Sequence, residues 1–162
     1  MAVLPLDTRL RIGIQTIHRR TEPVSGPWLP KIDELVSLVE LVDLYPSLCD
    51  LAGIRPPAGL QGRSFAPLFS NPSQPWKRAA CSQFPRVVPG VGKVMGYSLR
   101  SARYRYTEWR AQGGRVIARE LYDYRDDPGE SMNVVERAQY NSVAAEMAVE
   151  MRSFGAAALQ GI

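Results

Sequence analysis

Histidine and cysteine are scarce in this chain, and both scarcities limit the chemistry that it can carry. One histidine, His18, and two cysteines, Cys49 and Cys81, are present among 162 residues. Two cysteines are too few for the disulfide framework of a small secreted domain. Both have apolar sequence neighbours, which predicts buried free thiols.

Long hydrophobic runs are also missing. No stretch approaches the roughly 18 apolar residues that a transmembrane helix requires, so we expect no membrane partner. The short apolar start is followed by Asp7, Arg9 and Arg11, which does not fit a secretory signal peptide.

Arginine accounts for most of the formal charge of +4. Arginines and carboxylates are interspersed, whereas nucleic-acid-binding proteins more often cluster their cations, so we expect no nucleic-acid partner.

Proline and glycine, by contrast, are abundant, with 13 of each, which predicts short elements and many turns. The length fits one domain, or a modest domain with a tail. Residues 1–31 match no family and combine a weak alternation at 9–15 with a loop-like composition from 22 to 30, so we treat them as an irregular N-terminal segment. Residues 32–162 form the predicted domain.

The first part of this domain predicts short helices. Residues 35–42 are aliphatic enough for a strand, although a helix over 33–41 also fits. Asp43 is well placed as a helix N-cap whose carboxylate accepts the free amides of the next turn. Gly53 suits the left-handed C-cap of that helix. Its apolar face would comprise Leu44, Leu48 and Leu51, and a second short helix is expected from Ser64 to Phe69.

The middle of the chain has the pattern of a sheet. Candidate strands are 79–84, 94–101, 104–110 and 116–122. A tight hairpin at 101–103 and a turn at Gln112-Gly113-Gly114 connect them. From 138 to 160, apolar residues recur at helical spacing, namely Val143, Met147, Met151 and Phe154. The fold class is therefore α+β: a small antiparallel sheet of about four strands packed by a long C-terminal helix, with a short N-terminal helix.

Several segments, taken in order, resemble sulfatases of the alkaline-phosphatase-like superfamily. Residues 38–54 (LVELVDLYPSLCDLAGI) resemble the segment that leads from the catalytic domain towards the C-terminal subdomain, and 60–68 (LQGRSFAPL) resemble the next segment of those enzymes. Residues 82–86 (SQFPR) and 95–109 (MGYSLRSARYRYTEW) are similar to the iduronate-2-sulfatase branch. Residues 120–130 (ELYDYRDDPGE) resemble the common sulfatase ending. The resemblance identifies 32–162 as a sulfatase C-terminal subdomain.

This resemblance implies that the parent enzyme is a sulfuric ester hydrolase acting on sulfated acidic sugars, with calcium and formylglycine as its cofactors. The cysteine that becomes formylglycine lies in a Cys-x-Pro-Ser-Arg motif, which this chain lacks; Cys81 stands in Cys-Ser-Gln-Phe-Pro-Arg, out of register. His18 is expected to be an exposed loop residue. We assign no catalytic or metal residue to this chain and expect it to be inactive without the missing catalytic domain. The parent family is usually exported, and the sequence leaves the location open.

The resemblance also suggests a role in substrate binding, since loops of this subdomain help to shape the substrate pocket. Arg86, at a strand end, could hold a uronate carboxylate or a second sulfate with two parallel hydrogen bonds, with Gln83 beside it. The alternative is a salt bridge or a surface charge. Asp126 and Asp127 are better explained by a turn with Pro128 and Gly129 than by a calcium loop, because the ligand spacing of an EF-hand is absent.

Two other functions remain open at this point. The chain could be a non-catalytic module that binds sulfated glycans, which its arginines and aromatic-rich strands permit. It could also be a relic or a mispredicted reading frame, an interpretation that residues 1–31 encourage because they match neither a signal peptide nor the family.

Overall fold

The computed structural model of the protein describes residues 37–159, and their side chains as far as 154. The predictions for the N-terminal segment, including His18, lie outside this range, and so do residues 33–36 of the predicted strand or helix. The chain divides into two compact units, Met1–Lys77 and Arg78–Ile162.

From residue 37 onward, the first unit contains two short helices. A 3-10 turn at Leu41–Asp43 leads directly into helix α1, Leu44–Leu51, and helix α2 follows at Ala66–Ser70, two residues later than predicted. Of the expected strand, only Val39 forms an isolated bridge. The predicted C-cap is confirmed: Gly53 has φ +68°, and its N–H and that of Ile54 donate to the carbonyls of Asp50 and Cys49.

Asp43 precedes α1 as predicted, but its carboxylate does not cap the helix. The oxygens accept from the amides of Glu40 (2.9 Å) and Arg63 (2.8 Å), and the Lys77 ammonium lies 2.7 and 2.8 Å away. The reason is local: Asp43 ends the 3-10 turn with helical backbone angles, whereas an N-cap side chain needs an extended backbone to reach forward. The fully buried carboxylate therefore joins three separate segments of the chain.

Ser47 makes a second connection of this kind. Its hydroxyl donates to the carbonyl of Asp43 (2.5 Å) and accepts from the amide of Phe65 (2.9 Å). Phe65 then packs with Val39 and Leu68 in a small core. The polar contacts of α1 thus position the residue around which this core forms.

The predicted leucine face of α1 is not buried by the described residues. Leu48 is 62% exposed and Leu51 is 59% exposed, while the buried positions of the helix are Pro46, Ser47 and Cys49. Helical spacing identified the apolar stripe correctly, but it could not tell which side of α1 faces the core of this unit.

The second unit is an antiparallel meander of four strands followed by a helix. Its strands are β1 (Ala79–Val88), β2 (Gly92–Ser101), β3 (Tyr104–Ala111) and β4 (Val116–Asp123), in sheet order β1-β2-β3-β4. A 3-10 turn at Ala138–Tyr140 precedes helix α3, Asn141–Leu159. The α+β class is confirmed, and so is the Gly113-Gly114 turn, where both residues have φ near +80°.

One face of the sheet forms the core of this unit. Leu99, Tyr106 and Leu121 lie in one row across β2, β3 and β4 and are at most 1% exposed. Met147 and Met151 of α3 pack on this row, with Val143 and Phe154 beside them. The helical spacing in the sequence therefore identified the residues of α3 that bury the sheet.

The turn after β4 differs from the prediction in one respect. Asp127 stabilises it as expected, because its carboxylate accepts from the amide of Met132 (2.7 Å) and the hydroxyl of Ser131 (3.0 Å). The residue with a left-handed backbone, however, is Glu130 (φ +55°) and not Gly129. Glu130 is held there by an ion pair with Arg105 on β3, which compensates for a conformation that glycine would adopt more easily.

Asp123, at the end of β4, connects three parts of the second unit. Its carboxylate accepts two hydrogen bonds from Arg103 (2.9 and 2.7 Å), one from the Tyr140 hydroxyl (3.2 Å) and one from the amide of Arg125 (3.1 Å). The Arg103 guanidinium is the main cause that lowers the pKa of this carboxyl, against the opposing effect of burial.

Replacing Asp43 should destabilise the first unit strongly. Asp43→Ala leaves two backbone amides without their acceptor and leaves the Lys77 ammonium with Glu40 as its remaining carboxylate partner, in a mostly buried site, which should cost about 3 kcal/mol. Urea unfolding measures the loss. Asp50→Ala is the control, because Asp50 is exposed and its bond is to the Ser64 hydroxyl at the surface; it should change stability by less than about 1 kcal/mol. Equal effects of the two variants would contradict the connecting role of Asp43.

Asp123 should make the chain lose stability in acid. Because its pKa is lower in the folded chain than its ordinary value near 3.9, the unfolded chain binds more protons, and stability rises with pH through that interval. The contribution is complete above about pH 4 and is lost as pH falls through the folded pKa. Thermal melts from pH 2 to 6 should show a lower Tm for Asp123→Asn at pH 6 and a shallower fall on acidification. If the Tm of Asp123→Asn falls as steeply on acidification as that of the wild type, Asp123 is not the group responsible for the loss of stability in acid.

Candidate functional site

The two predicted site residues lie on the edge strand β1 but on opposite faces of the sheet. Gln83 pairs with Tyr97 and Arg86 pairs with Val94 in an unbroken register. Since side chains alternate along a strand, positions three apart point to opposite sides. Both residues are exposed. The structure therefore does not bring them together, and the two faces are separate surfaces.

Arg86 lies on a pair of aromatic rings. Phe84, Gly96 and Trp109 face each other across β1, β2 and β3, and the two rings meet edge to face with centroids 5.1 Å apart. The Arg86 guanidinium carbon lies 4.9 Å from the centroid of the Trp109 ring and 5.7 Å from that of Phe84. We refer to Phe84, Arg86, Gly96 and Trp109 as the Arg86 platform.

Gly96 makes the platform sterically possible. A Cβ at this position would lie 2.9 Å from a Trp109 ring carbon and 3.1 Å from a Phe84 ring carbon. Any other residue would push the two rings apart or displace one of them. Glycine in the middle of β2 therefore allows two large rings from the flanking strands to meet above it.

The Trp109 ring is held from the other side by β4. Its indole N–H donates to one carboxylate oxygen of Glu120 (2.8 Å), and the Tyr122 hydroxyl donates to the other (3.3 Å). Because the ring orientation is set by this bond, the position of the guanidinium above the ring is set as well. Within residues 37–159, no carboxylate forms an ion pair with Arg86. Its donors can thus meet an external carboxylate or sulfate with two parallel hydrogen bonds.

The Gln83 face carries a charged cluster centred on Glu108. This carboxylate is 2% exposed and accepts from Arg110 (2.7 and 3.0 Å) and from the Tyr106 hydroxyl (2.8 Å), with Arg119 at 3.6 Å. Burial raises the pKa of Glu108, but these donors outweigh it and the pKa is lowered overall. Burial, with the adjacent Glu108, raises the pKa of Tyr106 to about 12. Glu108 is therefore a permanently charged structural group that does not exchange protons near neutrality.

Thiols and acidic side chains are the remaining groups that could carry chemistry. Cys49 is buried as predicted and Cys81 is half-buried, and neither forms a disulfide bond among the described residues. In the part of the chain that the structure describes, no group of three or more His, Cys, Asp or Glu side chains could hold a metal ion. None of the helices over the same residues combines the length and apolar character that crossing a bilayer requires.

The charge distribution contains a feature that the sequence reasoning missed. The charges are not evenly interspersed, because residues 51–107 contain no aspartate or glutamate. The cations in this stretch are Arg55, Arg63, Lys77, Arg78, Arg86, Lys93, Arg100, Arg103 and Arg105. A count of acids in a sliding window would have revealed this segment. In the second unit it supplies β1, β2 and the first half of β3.

Comparison with known proteins agrees with this architecture. Residues 28–156 match the family described as N-sulphoglucosamine sulphohydrolase, C-terminal. The chain is 34% identical over 119 residues to a delta 4,5-hexuronate-2-O-sulfatase from Bacteroides thetaiotaomicron, covering 71% of this chain and 23% of the relative. It is 30% identical over 164 residues to the iduronate 2-sulfatase of Mus musculus, covering 75% and 29%.

A solved structure of a 2-O GAG sulfatase aligns with a TM-score of 0.57 at 33% identity, over 69% of this chain and 23% of that one. The phosphonate monoester hydrolase of Agrobacterium radiobacter, at 24% identity and a TM-score of 0.57, shares the fold. This chain thus spans about a quarter of the length of the relatives that it matches. Because the family match covers most of the chain and agrees with the observed sheet and helix, the chain belongs to the sulfatase C-terminal domain family of the alkaline-phosphatase-like superfamily.

Proposed function

We propose that this chain is the C-terminal portion of a sulfatase that hydrolyses sulfate esters of acidic sugars, and that the Arg86 platform binds the acid group of the substrate. The observation that carries the proposal is the exposed guanidinium of Arg86, fixed on two rings and without a carboxylate partner in the described part of the chain. The names of two relatives, a hexuronate-2-O-sulfatase and an iduronate 2-sulfatase, support an acidic sugar as the ligand.

The platform suits this role because it limits the freedom of a long side chain. An unrestrained arginine loses rotamer entropy when it binds a ligand, whereas one already held against Trp109 and Phe84 loses less. The flat guanidinium then presents two parallel N–H donors, which match the two oxygens of a carboxylate or of a sulfate. Gln83, on the opposite face, would not contact the same sugar residue. The proposal therefore assigns the acid group to Arg86 alone.

In this proposal, the catalytic portion of the enzyme cleaves the sulfate ester bond. Formylglycine and calcium are the cofactors that the family implies, and the residues present here do not fit them. The sequence has no Cys-x-Pro-Ser-Arg motif, and the described side chains form no carboxylate cluster for a metal ion. In this proposal the residues of this chain bind and orient the substrate, and they supply neither the nucleophile nor the ligands of a metal ion.

The purified chain should accordingly release no sulfate. Without a nucleophile, its binding groups cannot lower the barrier to ester cleavage. Sulfate release from 4-nitrophenyl sulfate and from a 2-O-sulfated uronide is measured by ion chromatography, with a complete sulfatase as the positive control. Sulfate release that persists after chromatographic purification of the chain would contradict this part of the proposal.

Arg86 is tested in the complete enzyme that contains this C-terminal portion. Arg86→Ala should raise KM for a sulfated uronide about 10- to 100-fold, the range expected for a charge-assisted bidentate contact worth about 1.5–3 kcal/mol. The KM for a neutral aryl sulfate should stay unchanged, since that substrate has no second acid group. Arg86→Lys should recover only part of the affinity, because a single ammonium cannot reproduce the planar fork.

The Gly96→Ala variant tests the Arg86 platform in a second way. The added methyl group should displace the rings below Arg86, so the variant should show the same kind of KM defect, and the double variant should be no worse than Arg86→Ala. Arg125→Ala, which removes an exposed arginine beyond the other end of β4, should leave KM unchanged. Identical KM values for Arg86→Ala and wild type on the uronide would exclude Arg86 as a substrate contact.

A further inference from the structure

One residue in the turn after β4 has a strained backbone, which an ion pair holds in place. Glu130 has φ +55°, a conformation that glycine adopts without strain. The Glu130 carboxylate pairs with Arg105 on β3, 25 residues away in the sequence. Strained residues persist only where other contacts fix them, and they occur often at functional sites. The position of Arg105 is thus maintained at a cost to the backbone of the turn.

Arg105 itself lies in an unfavourable environment. Its side chain is 27% exposed, and its buried Nε–H has no acceptor among residues 37–154. Burial lowers the pKa of this guanidinium, against the opposing effect of Tyr122 and Glu120. A buried N–H without a partner and a partly desolvated cation both destabilise a fold, and apolar residues often replace such groups with no loss of stability. Stability alone therefore does not explain an arginine at this position.

Arg105 lies over the ring of Tyr122, its direct cross-strand partner on β4. The guanidinium carbon is 5.3 Å from the ring centroid. The Tyr122 hydroxyl donates to one oxygen of Glu120 at 3.3 Å, and the Trp109 indole N–H donates to the other at 2.8 Å. Arg105 therefore holds the ring whose hydroxyl helps to orient Glu120, and Glu120 orients Trp109.

These contacts connect the turn after β4 to the Arg86 platform along one face of the sheet. Arg105 and Trp109 are four residues apart on β3, so they lie on the same face, about 13 Å apart along the strand. It is the face opposite to the row that α3 covers. Charged groups and aromatic rings follow one another along it. We refer to Glu130, Arg105, Tyr122 and Glu120 as the platform support.

We propose that Arg105 is a positioning residue for acid recognition: through Tyr122 and Glu120 it fixes the Trp109 ring and hence the Arg86 guanidinium. Arg105 itself does not contact the ligand. The claim that Arg86 binds an acid group rests on the proposed function, whereas the support of the ring rests on the geometry of this chain alone. Without the support, Trp109 can rotate and Arg86 gains orientations that it must lose again when it binds.

The orientation of Arg86 can be followed by NMR in the 162-residue chain. The ring current of Trp109 should shift the δ protons of Arg86 upfield. Arg105→Met keeps a long side chain over Tyr122 but removes the ion pair, so it should reduce this shift while the chain stays folded. An unchanged Arg86 shift in Arg105→Met would overturn the inference.

Arg103→Met is the matched control. Arg103 also pairs with a carboxylate, that of Asp123, and lies over a tyrosine ring at 4.8 Å from the Tyr104 centroid, but it is not part of the platform support. Its replacement should lower Tm at least as much as Arg105→Met, because the buried Asp123 loses two hydrogen bonds. The Arg86 shift should nevertheless stay unchanged. An equal change of that shift in both variants would show a general loss of structure and contradict the positioning role.

Kinetics of the complete enzyme measure the consequence for the ligand. Arg105→Met should raise KM for a sulfated uronide roughly 3- to 10-fold, with kcat and the KM for a neutral aryl sulfate unchanged. Arg105→Lys should recover most of the loss, because an ammonium can still pair with Glu130 and lie over Tyr122. Adding Arg105→Met to Arg86→Ala should cause no further rise, since both changes act on the same contact. An equal rise in KM for both substrates would rule out a specific role.

Glu130→Gly separates the platform support from the stability of the turn. Glycine adopts φ +55° without strain but cannot pair with Arg105. Relief of strain should offset the lost ion pair, so Tm should change little, while KM for the uronide should rise as in Arg105→Met. A lower Tm with a normal KM would show that the ion pair serves only the turn.

The proposed function and this inference can fail separately. If Arg86→Ala leaves KM unchanged while the Arg86 shift still depends on Arg105, the substrate contact is wrong and the positioning of the guanidinium stands. If Arg86→Ala raises KM and Arg105→Met does not, Arg86 binds the acid group without this support and the inference is wrong.

Discussion

The register of the four-strand sheet is the constraint on which the second unit and the Arg86 platform depend. Leu99, Tyr106 and Leu121 form a buried row because α3 covers that face, and a slip of one residue would turn the row to the opposite side. The same register brings Gly96 between Phe84 and Trp109. Burial of apolar surface under α3 therefore also fixes the position of Arg86 on the other face.

The elements of this unit could be predicted from the sequence because their signals are local. Period-two alternation, the Gly113-Gly114 turn and the helical spacing of Met147 and Met151 gave strands and a helix close to the observed ones. The failures occurred where a side chain has a distant partner. The Asp43 carboxylate binds Arg63 and Lys77, 20 and 34 residues away, and no local rule for N-caps includes such contacts. Glu130 adopts its left-handed backbone with the help of Arg105, which is equally remote in sequence.

For the candidate site, too, the local features could be predicted from the sequence, whereas the contacts with distant residues could not. Its residue type and approximate place were predictable, since Arg86 ends a segment with a recognisable family pattern. Its partners were not, because Phe84 and Trp109 meet only after β1, β2 and β3 have paired across Gly96. The separation of Gln83 from Arg86 could have been deduced from strand parity alone, as positions three apart in a strand face opposite ways. The acid-free stretch was equally visible in the sequence, and the register distributes its cations over both faces of the sheet, with Arg86 and Lys93 on opposite faces.

The chain spans about a quarter of its relatives, and this sets what its residues can contribute to a sulfatase. A contact that holds an acid group or a neighbouring sugar is made equally in the ground state and in the transition state, so it lowers KM without raising kcat. Acceleration of the chemical step requires groups at the reacting sulfur, where charge develops. The contact proposed for the Arg86 platform is of the first kind. If the platform acts as proposed, this C-terminal portion helps to determine which sulfated sugars are bound, while the catalytic portion determines the rate at which the ester is cleaved.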